Sequence, residues 1–415
     1  MPKDIVICCD GTGNEIGETI SNVLKLYRTL EQDDGQRVYY SAGIGTIGYR
    51  NAWQRLKQEI RGVFGLATGY GLDDDVLAAY SFLCKAYEDG DRVWLFGFSR
   101  GAYTVRALAG FVNVIGLLRL DQANLAGYAF AAYKQVSVSN RAPEWSGEPK
   151  TDNPAMKAAW QFARVAGAYP IRIEFLGVWD TVASIIAPRK DRLLPTLQTL
   201  PYTRVNPCVK AFRQAIAIDE RRRMFRLNRW VEKQPFREDR YERDSVIEQD
   251  VRQVWFAGVH ADIGGGYPEA QSGISKFSLL WMVRHAQEKG LRFNHRLIDH
   301  LVLGKAPDGA PTDYVPPDAQ AKIHDSMNAG WRILEWLPKS ARWREWPARR
   351  VVAGCYLPRA EPRQIPDGAR IHWSVYQKME QNREYKPVNL PDSHLREEDL
   401  APPEFQQNFR VRSGS

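Results

Sequence analysis

The chain has little that would tie it to a membrane or to an oxidising compartment. No apolar run approaches transmembrane length, and the N-terminal Met1-Pro2-Lys3-Asp4 leads into no signal-like segment. Synthesis in the cytoplasm is the expectation, with export through a contact-dependent secretion machine left open. Cysteine is scarce. The five residues Cys8, Cys9, Cys84, Cys208 and Cys355 are odd in number, two are adjacent, and none has metal-ligand spacing. A disulfide framework and a zinc-type site are therefore not expected, and Cys8 and Cys9 read as small apolar residues of a buried strand. There are only seven histidines, which narrows the search for a general base. The formal charge of +8 favours anionic partners weakly. No nucleic-acid motif accompanies it, so nucleic acid is not an expected partner.

What is present starts with Gly97-Phe98-Ser99-Arg100-Gly101, a G-x-S-x-G run directly after the apolar Val93-Trp94-Leu95-Phe96. A serine on a sharp strand-to-helix turn needs small neighbours, since a side chain at Gly97 or Gly101 would crowd the adjoining backbone. Val105, Leu108, Ala109 and Val112 then recur at helical spacing up to about Gly116. His260 ends the run Val254-Trp255-Phe256-Ala257-Gly258-Val259 and precedes a flexible glycine loop, Gly264-Gly265-Gly266. Asp180 closes the strand-like Ile171 to Trp179. The order Ser99, Asp180, His260, each at a strand end, is the order a serine nucleophile, its acid and its base take on a parallel sheet. Asp262 is the alternative acid, although a turn aspartate of this kind more often orders its own loop. The oxyanion donors expected are the backbone amides of Arg100, just after the nucleophile, and of Gly11 and Thr12 in the turn behind the apolar strand Ile5 to Cys9. No metal or organic cofactor is expected. A metal reading through Asp10, His260 and Asp262 is weaker.

Gly43-Ile44-Gly45-Thr46-Ile47-Gly48 is a literal G-x-G-x-x-G. The second strand and acid of a dinucleotide unit do not follow it, so it reads as a wall of the active-site cleft.

The same residues resemble a known family. Asp10 to Asn14, Gly43 to Thr46, Gly97 to Ala102 with Arg106, Trp179-Asp180-Thr181-Val182 and His260 to Tyr267 occur in sequence. Weaker echoes are Asp219-Glu220-Arg221 with Phe225, Ile371 to Val375, Tyr385-Lys386-Pro387 and Asn389-Leu390-Pro391. The chain resembles the α/β-hydrolase domain family that contains the first class of type VI secretion lipase effectors. That resemblance implies a phospholipase A-type esterase acting on bacterial membrane glycerophospholipids. If the chain is an effector, it also implies secretion machinery and a cognate immunity protein as partners.

The expected fold is α/β: an α/β-hydrolase fold with a mostly parallel central sheet, flanking helices, inserted cap or lid segments and a C-terminal extension. Residues 1–304 would form the catalytic domain, with cap-like insertions at about 119–168 and 186–250. Residues 305–415 would be an irregular extension packed on it. Ser275 to Gln287 reads as a helix, Asp219 to Asp250 as a solvated, salt-bridged face, and the other histidines as surface residues. Trp331 to Arg350 mixes Trp331, Trp336, Trp343 and Trp346 with arginines, a composition suited to peripheral membrane contact or to a packed core edge. Two other functions stay open: an esterase or thioesterase on soluble acyl substrates, and a non-catalytic binding protein on a hydrolase scaffold.

Overall fold

The computed structural model describes residues 2–11, 19–43, 71–139, 153–182, 185–187, 196–198, 200–237, 246–306, 312–341 and 344–398. The apolar runs become strands buried on both faces, as a parallel sheet covered by helices requires. The strands are β1 (Asp4–Cys9), β2 (Gln36–Ser41), β3 (Arg92–Phe98), β4 (Ile173–Trp179), β5 (Val209–Ala217), β6 (Asp250–Phe256), β7 (Ala369–His372) and β8 (His394–Glu397). They form one sheet in the order β8-β7-β6-β5-β4-β3-β1-β2, and every neighbouring pair is parallel. This is the α/β class the sequence predicts.

Alternation along β1 and β3 feeds two cores. Ile5, Ile7 and Cys9 of β1 join Val93 and Leu95 of β3 beneath α2 (Leu72–Ala86), α3 (Ser99–Ile115), α4 (Ala126–Ser139) and α5 (Pro154–Val165). Val6, Cys8, Trp94 and Phe96 face the other way, against α1 (Asn22–Thr29), α7 (Ser275–Glu288) and α8 (His295–Leu301). Local chemistry sets the helix starts. Ser21 caps α1 by accepting from the Leu24 amide at 3.0 Å, and Asn153-Pro154 opens α5 with a side-chain cap and a proline in the first turn. Among the described residues no helix is long and apolar enough to cross a membrane.

Three expectations are corrected. The stretch 186–250 is not simply an insertion, because β5 within it is a central strand. Lys210, Arg213 and Gln214 disguise it, yet Arg213 is buried and its guanidinium pairs with Asp250 at 2.8 Å. The C-terminal stretch is not irregular throughout: it adds β7 and β8 to the sheet and packs α10 (Trp373–Gln381) beside them. His285 and His372 are core residues rather than surface ones, with His372 stacked on Phe256 at the end of β6. Residues 140–152 of the cap-like insertion expected at about 119–168 lie outside the described residues, as do most of the G-x-G-x-x-G loop and Thr12.

The elbow owes its shape to two close approaches. A Cβ on Gly97 would stand 2.5 Å from the Gly101 carbonyl oxygen, and one on Gly101 would stand 2.1 Å from the Cys9 carbonyl oxygen. The helix that starts at Ser99 is thus pressed against the end of β1, and only glycine fits. Gly101→Ala is expected to destabilise the fold by about 1–3 kcal/mol or more through overpacking. Gly127→Ala is the control, because among the described residues a Cβ there meets nothing within 4 Å. Thermal denaturation should show a large loss of Tm for the first and none for the second; equal melting curves would contradict the close approach.

Candidate active site

Strand order reverses at β1, whose neighbours are β2 on one side and β3 on the other. Ligand crevices of open parallel sheets form at the carboxyl ends of strands near such a switch point. Ser99 follows β3 there, half-buried and with φ of 57°. A non-glycine residue in the left-handed region costs about 1–2 kcal/mol, which the packed elbow must hold in place. Asp180 follows β4, also with positive φ (37°), and is fully buried. His260 opens the short helix α6 (His260–Gly264), four residues beyond Phe256 at the end of β6.

The histidine and the aspartate meet. His260 Nδ1 donates to Asp180 Oδ2 at 2.5 Å. Asp180 Oδ1 accepts from the Ala217 amide at 3.1 Å, so the end of β5 also fixes the carboxylate. The imidazole is held between two aromatic rings, Phe98 at 4.7 Å and Phe225 edge-on at 4.9 Å. Phe98 is the residue before Ser99, so the elbow and the imidazole share a wall. Asp262 lies elsewhere. Its Oδ2 accepts from the Val259 amide at 3.0 Å and its Oδ1 faces His324 Nδ1 at 2.6 Å, so it caps α6 and leaves the imidazole to Asp180. Among the described residues no three histidine, cysteine or carboxylate groups converge as metal ligands would.

Burial lowers the pKa of His260 and favours the neutral ring, although Asp180 opposes the shift. Burial alone would raise Asp180, but the Arg363 charge and the His260 hydrogen bond hold its carboxyl well below the usual range. Glu220 behaves likewise: burial is outweighed by Arg222, and the group falls to about 2. Glu220 accepts from the His260 amide at 3.2 Å and from Arg222 Nε and Nη2 at 2.9 and 2.8 Å. The stretch from Asp219 is therefore not a solvated face at its start; it walls the histidine.

The glycine loop after His260 is clamped rather than flexible. A Cβ on Gly264 would sit 1.9 Å from the Phe98 ring, and one on Gly265 would sit 2.6 Å from the Asn22 amide nitrogen. Asn22 Nδ2 donates to the Ile263 carbonyl at 2.8 Å, and Ser21 Oγ donates to Asp10 Oδ2. One short helix start thus ties the loop behind β1 to the histidine loop.

Of the oxyanion candidates, Arg100 is the second residue of α3, in the first turn, whose amides have no intrahelical acceptor. The Gly11 amide donates to Asp10 Oδ1 at 2.7 Å, so in this arrangement it serves its own turn. Gly43 approaches that turn closely, its Cβ position 3.0 Å from the Asp10 carbonyl oxygen, as a cleft wall would.

Arg363 was not among the sequence-level candidates. Its Nη1 donates to Asp180 Oδ1 at 2.5 Å and its Nη2 to Asp180 Oδ2 at 3.1 Å. Its only local signal is an arginine set in a stiff Pro362-Arg363-Gln364-Ile365-Pro366 stretch. Asn389, one of the weaker motif residues, holds the Arg363 carbonyl and the Ile218 carbonyl at 3.0 Å each.

Residues 3–285 match the family described as "T6SS, Phospholipase effector Tle1-like, catalytic domain". An uncharacterized protein of Saccharomyces cerevisiae, YEL023C, is 23% identical over 572 aligned residues, covering 94% of this chain and 81% of that one. A crystal structure of an uncharacterized protein from Pseudomonas aeruginosa aligns over 70% of this chain and 46% of its own, at 19% identity and a TM-score of 0.35. The structure of the Tle1 effector bound to the VgrG spike of the type 6 secretion system aligns over 66% of this chain and 53% of its own, at 19% identity and a TM-score of 0.32. The chain spans about half the length of these two solved proteins. The family match takes in Ser99, Asp180 and His260 with the strands that carry them, and the chain belongs to the Tle1-like family of type VI secretion phospholipase effector catalytic domains.

Proposed function

We propose that the chain is a serine-dependent carboxylic ester hydrolase of the phospholipase A type, with Ser99 as nucleophile, His260 as base and Asp180 as acid. The observation that carries this reading is the buried His260–Asp180 contact at 2.5 Å, walled by the residue that precedes a strained serine. With Nδ1 donating to Asp180, the imidazole keeps its lone pair on Nε2, the atom that must take the serine proton. Ser99 Oγ attacks the ester carbonyl as its proton passes to His260. The imidazolium then protonates the leaving alcohol, and water repeats the sequence on the acyl-enzyme. The developing oxyanion is served by first-turn amides of α3, Arg100 among them; one such donor is worth about 3 kcal/mol in the transition state.

The substrate reading draws on the family and on one surface. Helix α9 (Ala329–Glu335) turns Trp331 inward, its ring 5.5 Å from Phe225. Ile333, Trp336 and Leu337 remain exposed at 67%, 59% and 48%, and Val352 lies at the turn of the adjoining hairpin. Arg332, Arg344, Arg350 and Arg359 are exposed along the same stretch, with Arg359 over the Trp336 ring. Apolar side chains rimmed by arginine suit the surface of an anionic bilayer. Trp346 is instead spent on packing, its Nε1 bonded to the Pro362 carbonyl at 2.7 Å. An effector role, with secretion machinery and an immunity protein as partners, follows the family.

Ser99→Ala is expected to lower fatty acid release from phosphatidylethanolamine–phosphatidylglycerol vesicles by about 10⁴-fold or more, with wild-type activity unchanged in excess chelator. Release that persists in the variant, or that chelator abolishes, would remove the serine mechanism. Because burial depresses His260, wild-type kcat/KM should hold on the alkaline side and fall only below the ordinary imidazole range, near pH 6.5. An acid limb well above that value would contradict a neutral buried base. The surface has its own test. Trp336→Glu with Ile333→Glu should weaken vesicle flotation and vesicle hydrolysis together while leaving hydrolysis of a short soluble ester intact. Unchanged flotation would assign the patch no membrane role.

A further inference from the structure

We propose that Arg363 is a positioning residue of the site, which fixes the Asp180 carboxylate by a two-point contact so that Asp180 in turn fixes His260. The inference rests on the serine hydrolase reading above but concerns a residue beyond the family-matched segment, which ends at 285.

The geometry is that of a fork. Both terminal nitrogens reach Asp180, one to each oxygen. The same nitrogens extend to two backbone carbonyls, Nη1 to Ala217 at 3.4 Å and Nη2 to Phe225 at 2.8 Å. The guanidinium therefore joins the end of β4, the end of β5 and the segment that carries the Phe225 wall of His260. It is almost entirely buried, and a guanidinium there makes sense only with a fixed anion. Its own backbone is anchored by Asn389, and Gln364 beside it donates its amide to Glu345 at 3.0 Å. A lysine could supply the charge but not the two parallel contacts.

The charged groups around the pair set the expected response. His260 faces Asp180 from the end of β4 and Glu220 and Arg222 from the stretch after β5. Asp262, on the same short helix as His260, is engaged by His324. Arg363 itself lies near Asp180, Glu220 and Glu345. Removing the Arg363 charge leaves Asp180 as an uncompensated anion against the imidazole, so His260 should bind its proton more tightly.

The test compares wild type, Arg363→Met and Arg363→Lys by NMR titration of the His260 ring, assigned by its loss in His260→Gln, alongside the pH dependence of kcat/KM on a soluble ester. Arg363→Met should move the His260 titration and the acid limb upward by about one to two pH units. It should also lower kcat/KM at neutral pH by about 10–100-fold, with partial rescue by added guanidinium ion. Arg363→Lys should keep the titration near wild type while still losing rate, because charge is retained and the fork is not. A His260 titration and acid limb that superimpose on wild type in Arg363→Met, with only a drop in Tm, would overturn the proposal and leave Arg363 a purely structural residue. If Arg363→Met does not fold, a Lys variant with wild-type rate overturns it equally. A shifted titration in a protein without ester hydrolysis would support the positioning role and sink the enzymatic reading instead.

Discussion

A carboxylate with no exposed surface lies between an imidazole and a guanidinium, and the arrangement of the site follows from keeping it charged. Moving an ion of that size out of water costs several kcal/mol even after relaxation. A hydrogen bond from a neutral imidazole to an ionised group contributes about 1.5–3 kcal/mol, which is too little by itself. Arg363 makes up the difference, and its two contacts also remove the rotational freedom that Asp180 would otherwise have. The consequence runs outward. Asp180 engages the imidazole at Nδ1, the rings of Phe98 and Phe225 pack against it, and Glu220 holds the backbone from which the ring projects.

That arrangement requires rigid backbone on every side, and glycine supplies it through contact rather than through flexibility. Gly97 and Gly101 let α3 press against β1, while Gly264 and Gly265 let the histidine loop press against Phe98 and Asn22. Ser21 and Asn22 lock the two halves together from the start of α1. The strained φ of Ser99 persists because these approaches leave it no relaxed alternative.

Much of this was legible in the chain. β1, β3, β4 and β6 are continuous apolar runs, and buried parallel strands of that kind are their natural reading. The elbow and the order Ser99, Asp180, His260 could be placed because each follows such a run. β5 escaped because Lys210, Arg213 and Gln214 interrupt it, and only the sheet shows Arg213 meeting Asp250. β7 and β8 are four residues each, shorter than a periodicity can reveal. Arg363 escaped for a different reason. Its partner is 183 residues away, and no local pattern encodes a contact between a proline-flanked arginine and a strand-end aspartate. Glu220 and Arg222 were misjudged because a run dense in both signs looks the same whether water or a buried site satisfies it.

The central claim is that Ser99 is activated as a nucleophile by this buried pair. The most direct test is to treat the folded protein with a fluorophosphonate and to map the adduct by peptide mass spectrometry. The account predicts a single phosphonyl adduct on the peptide containing Ser99, formed in the wild type and absent after His260→Ala. An unmodified Ser99 in a folded protein, or an equal adduct in the His260 variant, would contradict it.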